Sequence, residues 1–167
     1  FGPDSAAAGI PEQQQSKILG ALLTGVNRAF PFSPPNTDWA NYQVEIDSLY
    51  KIAARPGLSK SLQALHLILQ VLSAQGSNVD RFYRLLYHKM ASPELVHTTK
   101  RAGLFFNLTF KAVKRDTLLV RQAALLKRIL QIACYHAPPF ICGALLLLSE
   151  LIKVHPGLFK LIWSGES

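Results

Sequence analysis

The sequence contains few cysteines and no cysteine motif. There are two in 167 residues, Cys134 and Cys142, and they are not spaced as a Cys-x-x-Cys pair. So small a number argues against a disulfide-rich secreted domain. Both residues lie in or beside strongly apolar segments, which predicts buried, reduced thiols in an intracellular protein. A single disulfide between them is the less favoured alternative.

Long apolar runs are also absent. The longest, residues 140–148, is well short of the roughly 20 residues that a transmembrane helix needs. The N-terminal residues FGPDSAAAGIPEQQQ have no basic start followed by an apolar core, so no signal peptide is predicted. The sequence therefore predicts no membrane partner.

Catalytic and metal-binding patterns are missing as well. The ten acidic residues are scattered, and the closest pair, Glu45 and Asp47, would point to different sides of a helix, so no carboxylate dyad is indicated. The five histidines show no metal-ligand spacing, apart from a weak Cys134-x-His136 pair. Glycine-rich phosphate loops are absent. We expect a protein that is not an enzyme, with no cofactor, no metal and no small-molecule substrate.

Positive charge is in excess. The chain has 18 Lys and Arg against 10 Asp and Glu, which gives a formal net charge of +8 and an isoelectric point near 9.7. Such a balance favours polyanionic partners, meaning nucleic acid, an acidic protein surface or an anionic membrane.

The composition is that of a folded protein. With 49% hydrophobic and 17% charged residues, the chain can bury a core, most simply as one domain. We predict a flexible lead-in over residues 1–15, a single helical-repeat domain over 16–163 and a tail over 164–167. Because the chain begins at Phe1 and its only methionine is Met90, we expect a fragment of a longer protein.

Apolar residues recur every three or four positions through most of the chain, and no segment alternates convincingly as a strand. Proline, glycine and capping residues separate the helical segments, among them Asp116, which can cap the helix after it. We predict helices over 11–30, 39–54, 62–74, 79–90, 98–115, 117–135 and 136–158, with short turns or helices at 92–94 and 158–163.

Two of these segments, 62–74 and 136–158, are apolar around most of the helix circumference, so both are expected to be interior. The segment 136–158 is predicted to be a central helix against which the basic helix 117–135 packs. Interior helices and short connections favour a stack over a closed bundle. The predicted fold is all-α, a HEAT- or armadillo-like helical-repeat stack of about seven or eight antiparallel helices, although no repeat of fixed period is visible.

Five phrases in the sequence resemble one known family, the CCAAT-binding-factor (CBF) domain, and within it the nucleolar complex branch. The resemblance extends over residues 17–158, in the expected order. The phrases are LGALLTGVNRAF from Leu19, SLQALHL from Ser61, DRFYRLLYHK from Asp80, LFFNLTFKAVK from Leu104 and PPFICGALLLLSELIKVHPGL from Pro138.

The resemblance implies a non-catalytic scaffold of the nucleolus and nucleus that acts on early precursors of the large ribosomal subunit. The implied partners are nucleolar complex protein 2, pre-ribosomal RNA and other early assembly factors. The family name also preserves an alternative, a transcription factor that binds CCAAT DNA. A module that binds proteins alone is the third hypothesis.

The candidate RNA-binding residues lie in one basic segment, residues 100–128, which contains a single acidic residue, Asp116. If helices 98–115 and 117–135 lie side by side, their cations form one strip for phosphate groups. The alternative is that these are the ordinary solvated faces of amphipathic helices. The candidates are Lys100, Arg101, Lys111, Lys114, Arg115, Arg121, Lys127 and Arg128.

Aromatic residues near the end of the sequence are candidates for a partner surface. Trp163 and Phe159 could anchor another helical-repeat protein, since aromatic side chains dominate many interfaces. Trp39 could do the same, but its place on the apolar stripe of helix 39–54 favours a core position.

Overall fold

The computed structural model describes residues 12–32, 42–75, 79–97 and 101–163. Within those ranges the regular structure is helical and no strand occurs, which confirms the predicted all-α class. The helices are α1 (Glu12–Ala29), α2 (Gln43–Ala54), α3 (Leu58–Gln75), α4 (Asp80–Met90), α5 (Pro93–His97), α6 (Ala102–Arg115), α7 (Leu119–Ala133), α8 (Pro138–Val154) and α9 (Gly157–Trp163), with a 3-10 turn at Phe30–Phe32.

The helices pack in two rows, as a helical-repeat stack requires. In the first row α1 contacts α3, α3 contacts α6, and α6 contacts α8. In the second row an ion pair links α2 to α4, and α7 packs between α4 and α9. Contacts of α3 with α2 and α4, and of α8 with α7 and α9, hold the two rows together. This arrangement confirms the predicted helical stack.

The central helix of the stack is α3. It packs against α1, α2, α4 and α6, and its buried side chains include Leu62, Leu65 and Ile68. The interior position predicted for residues 62–74 is therefore confirmed. The helix begins at Leu58, earlier than predicted, because Glu94 of α5 accepts hydrogen bonds from the Gly57 and Leu58 N–H groups at its start.

Helix α8 is less buried than its composition suggests. Phe140 and Leu151 face the core, but Leu145 and Leu146 have 53% and 66% of their surface exposed. The reason is that α6, α7 and α9 cover one side only. The prediction of a central, interior helix at 136–158 was wrong, whereas the predicted packing of helix 117–135 against it, now α7, is confirmed.

The contact between α6 and α8 depends on aromatic rings and one glycine. The Phe140 ring of α8 lies 4.8 Å from the Phe106 ring and 6.2 Å from the Phe105 ring, centroid to centroid. A Cβ atom at Gly143 would come within 2.6 Å of the Phe106 side chain. Glycine at this position therefore lets the two helices approach closely.

Both cysteines are exposed and neither forms a disulfide. The prediction of buried thiols was wrong because apolar sequence neighbours do not fix the direction in which a helical residue points. Cys142 lies on the outward side of α8, and Cys134 follows α7, where its Sγ lies 3.3 Å from the Leu130 carbonyl oxygen.

Candidate nucleic-acid interface

The outward side of α6 carries exposed cations. Lys111, Lys114 and Arg115 are exposed, and no ion pair is found for them within the described ranges. The sequence places them there because the other side of α6 bears the apolar residues that pack on α3 and α8. Their charges are therefore available to a ligand.

Lys111 has a neutral neighbour. Its Nζ lies 3.3 Å from Nε2 of His66 on α3. Burial, and secondarily the charge of Lys111, lower the pKa of His66. At neutral pH the imidazole is therefore uncharged and can accept a hydrogen bond from Lys111 Nζ.

Arg121, at the start of α7, is held by two carboxylates. Its Nε and Nη2 donate to Asp116 at 2.6 Å, and its Nη1 donates to Asp80 of α4 at 2.6 Å. The Asp116 side chain is fully buried, and the guanidinium lies 4.1 Å from the centre of the Tyr83 ring. The hydrogen bond to Asp116 is the main cause of a raised pKa at Arg121. This side chain ties α4, α7 and the loop before α7 together.

Asp116 also organises the start of α7. Its Oδ1 accepts a hydrogen bond from the Leu118 N–H at 3.0 Å, just before the helix begins at Leu119. The prediction that Asp116 caps this helix was wrong, because the N-cap residue is Leu118 and no side chain caps α7. Asp116 lies two residues earlier and bonds to the N–H of the N-cap residue itself.

The second half of α7 carries less constrained cations. Lys127 is exposed, and Arg128 is half-buried. The Arg128 guanidinium lies 4.9 Å from the centre of the Tyr87 ring, and its Nη1 donates to Gln131 Oε1 at 3.3 Å. Tyr87 and Gln131 are both neutral, and no carboxylate among the described residues forms an ion pair with Arg128.

The predicted single strip is divided between two faces. The cations of α6 belong to the first row and those of α7 to the second, so Lys111 and Lys114 share one helix whereas Arg128 lies in the other row. Arg101, just before α6, is exposed. Lys100 lies outside the described residues.

Sequence reasoning overlooked α4 as a source of cations. Arg81 forms an ion pair with Asp47 and lies 4.0 Å from the centre of the Tyr50 ring. Arg84 is exposed, and no ion pair or ring contact is found for it in the described part of the chain. The spacing of Arg81, Arg84 and His88 on the outward side was the available signal.

Of the three aromatic candidates, Phe159 alone has a side chain within the described part of the chain. Phe159 of α9 is 50% exposed. Trp163 is the last residue of α9, and its side chain lies outside the description, as does all of Trp39.

Other kinds of site are not indicated. Among the residues that the structure describes, no group of three or more His, Cys, Asp or Glu could hold a metal ion. None of the helices in the same part of the chain is long and apolar enough to cross a membrane.

Comparisons with known proteins identify relatives. The CBF/Mak21 family matches residues 61–167. Human CCAAT/enhancer-binding protein zeta is 47% identical over 86% of this chain and 13% of its own length. Ribosome biogenesis protein NOC1 of Chaetomium thermophilum is 41% identical over 97% of this chain and 15% of its own. Nucleolar complex protein 1 of Drosophila melanogaster is 26% identical over 82% and 12%. The chain thus spans a small part of the length of these relatives, and the predicted resemblance is confirmed.

Proposed function

This chain belongs to the CBF/Mak21 family, and on that premise we propose that it is a non-catalytic module of a nucleolar ribosome-biogenesis factor. The names of two relatives, Ribosome biogenesis protein NOC1 and Nucleolar complex protein 1, support both the process and the location. The module acts as a scaffold on the early precursor of the large subunit, where it contacts pre-ribosomal RNA and other assembly factors.

The observation that carries RNA binding is the set of cations on α6. Lys111 and Lys114 project from a helix whose other side is packed, and neither is neutralised by a carboxylate among the described residues. Exposed cations of this kind contact phosphate groups, which provide most of the affinity for nucleic acid and no sequence information. The expected binding depends on RNA shape and charge.

Protein partners are the second part of the proposal. We expect nucleolar complex protein 2 to bind an end of the stack, with Phe159 and Trp163 of α9 as the anchors. The half-exposed ring of Phe159 supports this choice. Mixing the purified proteins with and without RNA, and then measuring complex size, tests whether the partner binds directly.

A matched pair of charge-reversal variants tests the RNA proposal. Lys111→Glu with Lys114→Glu should weaken the affinity for a structured RNA by about tenfold or more, because two phosphate contacts are lost and replaced by repulsion. Lys17→Glu with Lys51→Glu changes the net charge equally at exposed sites on α1 and α2, and serves as the control. Equal affinities of the two variants would refute a binding role for α6.

Arg121 is left out of that test on structural grounds. Removing it would leave the buried Asp116 without its cation, so loss of binding could result from unfolding.

A CCAAT-binding function is the alternative that the name of the human relative suggests. It requires side chains that read base edges in a DNA groove. We expect equal affinities for a CCAAT duplex and a scrambled duplex at physiological salt. A clear preference for CCAAT would favour the transcription-factor hypothesis instead.

A further inference from the structure

The helices α4 and α7 run side by side in the same direction. Arg121 of α7 bonds to Asp80 of α4, and Arg128 of α7 lies over the Tyr87 ring of α4. The second contact lies seven residues further along both helices than the first, a distance of two turns or about 10 Å. The two helices thus form a shared groove, which Arg121 lines, whereas Arg128 lies outside the lining, against the Tyr87 ring.

The groove is open, and charged, aromatic and small apolar side chains line it. Its volume is about 390 Å³, and its walls include Arg84 and Tyr87 from α4 and Arg121 and Ala124 from α7. Ala124 is exposed, and because its side chain is small, it projects little into the groove. Tyr87 keeps 39% of its surface exposed, although it belongs to a packed helix pair.

The groove has one lining cation without a carboxylate partner in the described part of the chain, Arg84, because Arg121 is offset by Asp80 and by the buried Asp116. Asp80 is the one carboxylate in the residues that line it, and it already accepts a hydrogen bond from Arg121. Arg84 has no carboxylate partner within the described ranges, and Arg128 contacts neutral groups. Lys127 adds a further exposed cation beside Arg128 on α7. An anionic ligand is therefore favoured.

Chemistry distinguishes this groove from the α6 face. On α6 the cations are mainly lysines, which act as point charges toward phosphate. The groove instead offers arginines, which can stack as well as bind phosphate, beside an exposed aromatic ring. A cationic groove with aromatic side chains is the arrangement that holds unpaired nucleotides, because bases stack on the rings while the backbone follows the charges.

We infer that the groove between α4 and α7 is a binding site for single-stranded RNA. Arg84 in the groove and Arg128 at its rim contact phosphates, and a base stacks on the face of the Tyr87 ring that Arg128 does not cover. This inference rests on the proposed RNA-binding function and divides it between two faces. An acidic peptide is the competing ligand, but it would use the cations alone and would leave the exposed ring of Tyr87 without a role.

The test compares two RNA ligands on the 167-residue chain, a 12-nucleotide oligouridine and a hairpin RNA. Arg84→Gln with Arg128→Gln should weaken oligouridine binding by about tenfold, and Tyr87→Leu by about fivefold or more, since a base stacked on an aromatic ring contributes substantially to affinity. Hairpin binding should change less in both variants. The control, Lys111→Gln with Lys114→Gln, should show the opposite preference. Urea unfolding of each variant establishes that the fold is intact.

The outcomes separate the two proposals. If the chain binds the hairpin but not oligouridine, the groove inference fails and the proposed function stands. If it binds neither RNA, both fail. If Tyr87→Leu binds oligouridine normally and polyglutamate displaces that RNA, the groove takes acidic peptides and the inference is overturned. Photocrosslinking of 4-thiouridine to residues 84–87 would support the inference, whereas crosslinks confined to α6 would contradict it.

Discussion

The two halves of α7 each carry an arginine on the same side of the helix, Arg121 in the first half and Arg128 in the second, but the two arginines have different partners. Arg121 is bonded to a buried and an exposed aspartate, whereas Arg128 contacts a tyrosine ring and a glutamine. The first arginine joins helices, and the second keeps an uncancelled charge. The comparison teaches that the carboxylates around a cation, more than its place in a basic segment, decide whether it holds the fold or is available to a ligand.

Removing each arginine in turn tests whether the two halves of α7 differ in role. Arg121→Gln should lower the free energy of unfolding by about 3 to 5 kcal/mol, because the fully buried Asp116 loses its cation. Arg128→Gln should cost less than about 1 kcal/mol, as is usual for a partly exposed side chain. Urea denaturation followed by circular dichroism measures both. Equal losses would mean that the two halves of α7 do not differ in role.

A double-mutant cycle sharpens the assignment of the Arg121 effect. Asp116→Asn removes the buried charge that Arg121 neutralises, so the variant with both substitutions should be more stable than the sum of the single effects predicts. We expect a coupling energy of about 1 to 3 kcal/mol from the same urea experiments. Strict additivity would show that Asp116 is not the partner that matters.

His66, the neighbour of Lys111 on α6, should contribute to the pH dependence of the free energy of unfolding. Since the pKa of His66 is lowered in the fold, mainly by burial, the unfolded chain binds more protons in the acid range. Stability contributed by the neutral imidazole is present above the ordinary histidine pKa of about 6.5 and is lost as the pH falls through the lowered value. His66→Gln should therefore reduce the loss of stability between pH 7.5 and 5.

The informative quantity is the difference in the free energy of unfolding between His66→Gln and the unaltered chain at each pH. A steeper loss in the variant would contradict a neutral His66 beside Lys111.

The smallest stability effect is expected at two exposed cations, Arg84 and Lys127. Arg84→Gln and Lys127→Gln should each change the free energy of unfolding by no more than about 0.5 kcal/mol. Thermal unfolding measures this directly. A larger loss at Arg84 would indicate a structural role in the grooves beside α4 and would remove it from the candidate ligand contacts.

Periodicity in the sequence was sufficient to predict the helices and most of the sides that they bury. It could not orient α8, because leucines surround that helix and leave no narrow apolar stripe. It also could not place the start of α3, since the cap comes from Glu94, 36 residues away. Long-range contacts of this kind are set by the packing of the stack.

The candidate site was predictable to a similar degree. The basic character of α6 and α7 is visible in the sequence, and the Arg121 bond to Asp116 spans five residues. The bond from Arg121 to Asp80 joins residues 41 apart, and the separation of α6 from α7 into different rows arises from tertiary packing. Arg84 lines a groove because tertiary packing places α4 beside α7, and the sequence alone does not show this packing.

The most direct test of RNA contact by unneutralised cations is the salt dependence of affinity for a structured RNA. The logarithm of the binding constant should be measured against the logarithm of salt concentration for the unaltered chain and for Lys111→Gln with Lys114→Gln. Each phosphate contact adds about 0.7 to 0.9 to the slope. We therefore expect a slope shallower by about 1.4 to 1.8 in the variant, and identical slopes would contradict the proposed contact.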